Sequence, residues 1–133
     1  MKLLAQTRTK YFEKILARNM SMSMSMSLLG WQPLSYDAHS TLQDTMNTPR
    51  KKIGTYNVGA FSNKQIDELT VAIENEVDQA KRQALISRAL QIHKDEFGHI
   101  PLHQAGLAWG VRESVSVQLR NDDSLELKRV KVD

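Results

Sequence analysis

The chain has 133 residues, enough for one ordinary domain and few for two. Its 18 basic and 15 acidic residues give a net charge of +3, and hydrophobic residues at 41% with charged residues at 25% fit a globular protein. The absence of cysteine excludes disulfides, a thiol nucleophile and a thiolate metal site; the basic residues are interleaved with acids and join no nucleic-acid motif, so no nucleic-acid partner is expected.

In chain order, Met1-Lys2-Leu3-Leu4-Ala5 gives way at once to Gln6-Thr7-Arg8, so no secretory h-region is expected at this end. No apolar run approaches the ~20 residues that span a bilayer. Lys2 to Gln6 reads as a short strand or a ragged start. Thr7 or Thr9 can cap a helix whose apolar stripe is Tyr11, Phe12, Ile15 and Leu16, with Asn19 as a left-handed stop. In Met20-Ser21-Met22-Ser23-Met24-Ser25-Met26-Ser27, strict alternation places every Met on one face of a strand. A soft-metal or lipid contact would suit that face. A tandem expansion of a Met-Ser unit, with Met as gap-filler ahead of a buried strand, is the reading we adopt. Leu28-Leu29-Gly30-Trp31 continues the run and is apolar on both faces, as a central strand is.

Asp37 can cap a helix from Ala38 to about Met46, ended by Asn47-Thr48-Pro49. Residues 48–62 form a long polar connection with Gly54 and Gly59, and loops of that length inside domains are usually functional. Asn63 caps a helix over 64–77 with the stripe Ile66, Leu69, Ile73 and Val77. Asp78 caps a second, about 79–97, with Leu85, Ile86, Ala89, Leu90, His93 and Phe97 inward and Gly98 as its left-handed end. Together they make a helical hairpin. Beyond it the pattern is β: Ile100 to Gln104, Leu107 to Val111, Ser114 to Leu119, a turn at Asn121-Asp122-Asp123, and a last strand through Leu125, Leu127, Val130 and Val132 with a bulge near Lys128-Arg129.

No catalytic constellation is evident. His93, His99 and His103 can approach one another, but neither they nor His39 form a His-Glu-x-x-His pattern. No Gly-x-Ser-x-Gly elbow and no phosphate-cradling glycine loop occurs, so no enzyme, no metal and no cofactor are expected. Trp31 and Trp109 are the informative aromatics, each equally explained by core packing. Trp31 ends a strand, with Gln32, Tyr36 and Asp37 following at the edge where α/β sheets collect ligands. Indole and amide groups suit a partly apolar, hydrogen-bonding ligand.

Leu28-Leu29-Gly30-Trp31 is followed by Tyr36-Asp37 and a helix. Then come Asn57-Val58-Gly59-Ala60-Phe61-Ser62-Asn63, Val77-Asp78-Gln79-Ala80-Lys81-Arg82 and Ile100-Pro101-Leu102-His103-Gln104. This order, from about Leu3 to Val117, resembles the C-terminal lobe of the family 5 extracellular solute-binding proteins, the dipeptide, oligopeptide and nickel receptors of ABC importers. The resemblance implies a partial lobe of a type II periplasmic-binding-protein-like α/β fold, a mixed sheet flanked by helices with a C-terminal β segment. It implies a periplasmic receptor that closes on a small solute, such as a peptide, and delivers it to an inner-membrane ABC permease. Members of that family are several times longer, so the chain is expected to be a fragment: one domain, 1–133, with an α/β core over 1–111 and a β tail over 112–133. Open strand edges could then pair copies into a homo-oligomer. Peptide receptors of the family often carry an acidic residue soon after this Trp; here Gln32-Pro33-Leu34-Ser35 intervenes before Asp37, and capping explains Asp37 equally well. Ala60, Phe61, Lys64 and Gln79 stand where the family more often has Gly, Tyr, Pro and Pro. The expected ligand-facing positions are Trp31, Gln32, Tyr36, Asp37, Asn57 and Phe61. Trp31 and Phe61 would form apolar walls, Asp37 a charge or hydrogen-bond partner, and Asn57 an amide contact. The competing class is a stand-alone interaction module that associates through strand edges.

Overall fold

A computed structural model describes residues 5–17, 26–33 and 35–132. The chain is helix-rich with one small antiparallel sheet. It divides into two compact units, Met1–Ile100 and Pro101–Asp133.

In the first unit, α1 (Arg8–Leu16) buries Ile15 completely and leaves Tyr11 and Phe12 half-buried and in edge-to-face contact. Thr7 stands at its N-cap without a side-chain capping bond. The Tyr11 hydroxyl donates to the Leu28 carbonyl, which ties the helix to the segment before Trp31. The expected stop at Asn19 and the Met-Ser stretch through Ser25 lie outside the described residues, as does most of the predicted start of the chain. Residues 28–31 do not form the expected strand. Among the described residues nothing pairs with them, and Leu28 is 69% exposed.

α2 (Ala38–Thr41) begins at Asp37, whose carboxylate accepts from the His39 N–H at 2.8 Å. It runs straight into a π-helical turn, Leu42–Met46. There the Asn47 N–H reaches back five residues to the Leu42 carbonyl. The carbonyls of Gln43 and Asp44 accept instead from the N–H groups of Gly54 and Tyr56, both at 2.9 Å. The irregular turn is thus the dock onto which the long loop folds back.

α3 (Lys64–Asn75) and α4 (Gln79–Asp95) form the expected hairpin. Asn63 accepts from the N–H groups of Gln65 and Ile66, and Asp78 from that of Lys81, so both helices start where the capping residues predict. Leu42, Ile73, Ile86 and Ala89 make the core, with Ala38, Met46, Leu69 and Leu85 packed around it. α3 stops two residues short of the expectation. Glu76 is already extended and its carboxylate holds the Asp78 N–H, which leaves Val77 97% exposed at the hairpin tip. The end of α4 also differs. The left-handed residue is Phe97 (φ 53°), with the Gly98 N–H donating to the His93 carbonyl and the Phe97 N–H to Lys94, the paired bonds of a Schellman cap.

In the second unit, the predicted strands at 100–104 and 107–111 are absent. β1 (Val115–Ser116) pairs antiparallel with β2 (Lys131–Val132), Val115 opposite Val132 and Ser116 opposite Lys131. The predicted bulge is a short 3₁₀ turn, Leu127–Arg129. The connection is held by Arg120, which bonds both Asp122 and Glu126.

Candidate functional site

The loop that leaves α2 is fixed from inside by two buried amides. Asn47 donates to the Leu42 carbonyl and, at 2.7 Å, to the Thr70 hydroxyl on α3. Asn57 donates at 2.8 Å to both the Asn47 and the Phe61 carbonyls, and its own carbonyl accepts from the Phe61 N–H. Gly54 is required at the crossing: its φ is +62°, and a Cβ there would lie 2.5 Å from the Asn47 carbonyl oxygen. The loop is therefore a preorganised element with closed hydrogen bonding.

On its outer side, Trp31 is half-buried with its ring 5.0 Å from that of Tyr56, tilted by 52°. The indole N–H donates to the Thr41 hydroxyl at 3.3 Å. Gln32 and Tyr36 are exposed beside it, and Tyr36 sits at φ 55° with its N–H on the Pro33 carbonyl. Asp37 is engaged more heavily than its capping role requires. One Arg82 nitrogen lies 3.0 Å from each of its carboxylate oxygens, while the Arg82 Nε–H donates to the Ile73 carbonyl. The His39 N–H and Arg82 together hold the Asp37 carboxyl below its ordinary value. Arg82 thereby joins the start of α2, the last turn of α3 and the first turn of α4.

Phe61 faces a different group. Its ring meets the His93 ring edge-on at 4.8 Å, and His93 Nε2 lies 2.6 Å from His99 Nδ1. His93 is buried, and that burial, with His99 adding to it and Glu96 opposing, pushes its pKa down to about 4. Desolvation lowers His99 as well. Gly98 makes this possible: a Cβ there would lie 2.2 Å from His93 Cε1.

The six expected ligand-facing residues thus separate. Trp31, Gln32, Tyr36 and Asp37 cluster around the Pro33 turn. Asn57 is 1% exposed and spends its amide inside the loop, and Phe61 turns to the histidines. Sequence reasoning missed Tyr56 and Arg82. Tyr56 directly precedes the Asn57 motif, and an aromatic at that place is its one signal; nothing in the sequence singles out Arg82 from the other cations. Among the described residues no three His, Asp or Glu side chains come together as a metal site, and the His93–His99 pair supplies only two nitrogens. Among the described residues no helix is long and apolar enough to cross a membrane. Comparisons with protein-family models, with curated proteins and with solved structures give no match.

Proposed function

We propose that the chain is a solute-binding lobe, the C-terminal half of an ABC-importer receptor with a type II periplasmic-binding-protein-like fold, and that it binds without catalysing. The observation that carries this reading is the Trp31–Tyr56 pair. It joins the segment 31–37 to the loop 56–62 and leaves a partly solvent-exposed aromatic ledge, with the exposed residues Gln32 and Tyr36 in the same segment. A peptide or similar small solute would stack on the ledge and be closed over by an opposite lobe. The rigid loop behind it supports the reading, because a fixed surface loses less entropy on binding.

The test uses the Trp109→Phe variant, in which Trp31 is the sole indole. Di- to pentapeptides titrated into it should change the emission saturably. With only half a cleft present the dissociation constant should be on the order of 1 mM. Emission unchanged at about 10 mM peptide, with the indole still quenched by acrylamide, would refute a solute site at Trp31.

A further inference from the structure

The histidine pair at the end of α4 has no part in the receptor reading, and its geometry restricts where protons can sit. His93 Nε2 and His99 Nδ1 are 2.6 Å apart, so only one of the two nitrogens can carry a hydrogen. His93 Nδ1 is buried and has no hydrogen-bond partner among the described residues. Orphaned buried N–H groups are rarer than under-satisfied acceptors, so that nitrogen holds a lone pair. The His93 hydrogen is then on Nε2, which donates to the bare Nδ1 of His99.

Neither ring can take a further proton in place. On His99 the free site is Nδ1, and a hydrogen there would face the His93 Nε2–H across 2.6 Å. On His93 the free site is Nδ1, where a cation would be buried without an acceptor. The Gly98 backbone lies against that nitrogen, since a Cβ there would come within 2.5 Å of it. The charged or titratable groups that act on His93 are His99 and, on its own helix end, Glu96. The loop brings only the Phe61 ring and the neutral Asn63, whose amide donates to Glu96 at 2.7 Å. Burial lowers the pKa of both histidines, in the same direction as the proton geometry.

We propose that the His93–His99 contact is a proton-released latch: a proton on either ring parts the pair and frees residues 97–100 and the Phe61 end of the loop, while the Tyr56 end stays docked. The Phe61 end is within the latch because its ring packs on His93 itself. The Tyr56 end is outside it, held by the N–H groups of Gly54 and Tyr56 on the carbonyls of the π turn, bonds in which no titrating group takes part. The closed latch excludes the proton and the open one binds it at the ordinary value of 6.5. The latch is therefore complete above pH 6.5, and each unit below that raises the opening constant about tenfold, down to about pH 4. Opening is local and precedes global unfolding.

Amide hydrogen exchange of the full chain, followed by NMR between about pH 7.5 and 4.5 and corrected for intrinsic rates, tests this. Protection at the Phe61 and Gly98 N–H groups should fall about tenfold per pH unit below 6.5. Protection at Tyr56 and at Ile73 in the core should stay at least tenfold higher at every pH. The ring protons of Phe61 should shift with the same midpoint as those of His93 and His99. In the variant carrying both His93→Gln and His99→Gln no ring titrates, and the fall at Phe61 and Gly98 should disappear. His99→Gln alone, a smaller change whose amide can still accept from His93, should keep a shallower fall. Wild-type protection at Phe61 and Gly98 that is flat across the range overturns the proposal, as does a fall retained in the double variant. Loss at Phe61 and Gly98 only in step with Ile73, at equal protection, would make the event global unfolding and overturns it too.

Discussion

The end of α4 predicts opposite outcomes at two adjacent residues. A methyl added at Gly98 would lie 2.2, 2.5 and 2.7 Å from His93 Cε1, Nδ1 and Nε2. The backbone of Gly98 is not left-handed, so the objection to Gly98→Ala is contact alone. Relief requires the imidazole to move by about 1 Å, and it is hemmed in by the Phe61 edge and held by His99. Overpacking of this kind costs about 1–3 kcal/mol, and the lost hydrogen bond adds about 1 kcal/mol. Gly98→Ala should therefore destabilise by about 2–4 kcal/mol. Phe97→Gly should do the reverse. A left-handed backbone costs a residue with a Cβ about 1–2 kcal/mol, and the extra freedom glycine gives the unfolded chain takes back about 0.5–1 kcal/mol. Phe97 is 84% exposed, so its ring takes little buried area with it. A net gain of about 0.5–1 kcal/mol is expected. Urea unfolding followed by far-UV circular dichroism measures both. If Gly98→Ala is neutral, the contact of its added methyl with the His93 ring is not there, and if Phe97→Gly destabilises, Phe97 is not the left-handed residue; either result refutes the reasoning.

Three further outcomes are expected. His93, ordinarily near 6.5, is held down to about 4 by burial, so the unfolded chain binds the proton more tightly over that window. Stability should be complete above pH 6.5 and fall by up to about 3 kcal/mol as pH drops to 4; His93→Gln should flatten most of that slope, with His99 contributing the remainder. Asp37→Ala should cost about 1–2 kcal/mol, mostly the cap, since the Arg82 pair is partly solvated. Because the Asp37 carboxyl is held low, its contribution should persist above its ordinary value of 3.8 and vanish as pH falls through the depressed value, so wild type and variant should converge in acid. Asn57→Ala strands the Asn47 and Phe61 carbonyls and the Phe61 N–H, and should cost about 2–4 kcal/mol. Hydrogen exchange should show the loss of protection concentrated at residues 57–61, whereas unchanged stability would mean the amide is free for a ligand.

The helices were legible because their starts are local chemistry. Asp37, Asn63 and Asp78 each accept first-turn N–H bonds as their identity and position predict. What was illegible is what depends on distant partners. Leu28-Leu29-Gly30-Trp31 has a strand's composition, but a strand exists only beside another, and none lies beside it among the described residues. Val77 continues the α3 stripe by spacing, yet the extended backbone before the Asp78 cap expels it. Gly98 resembles a left-handed stop, and its real constraint is the His93 ring above it. Asn57 reads as an exposed amide because loops are polar; its burial follows from the loop folding back onto the π turn, which no local pattern announces.

The two readings of Asp37, cap or ligand partner, can be weighed from its bonds. Its Oδ1 accepts from the His39 N–H and from Arg82, and its Oδ2 from the same Arg82 nitrogen. A carboxylate has about four lone-pair positions, so an incoming ammonium could still reach Oδ2. It would approach a charge that Arg82 already offsets, and displacing Arg82 would also strain its bond to the Ile73 carbonyl, unpinning the hairpin. The electrostatic gain is therefore small beside the packing at risk. A solute on the Trp31–Tyr56 ledge would then be held mainly by stacking and by Gln32 and Tyr36. Removing the charge with Asp37→Asn should change peptide affinity by less than about threefold, whereas Trp31→Ala should abolish it. A loss of tenfold or more in Asp37→Asn, at unchanged helical content, would instead make Asp37 the anchor of the ligand's amino terminus.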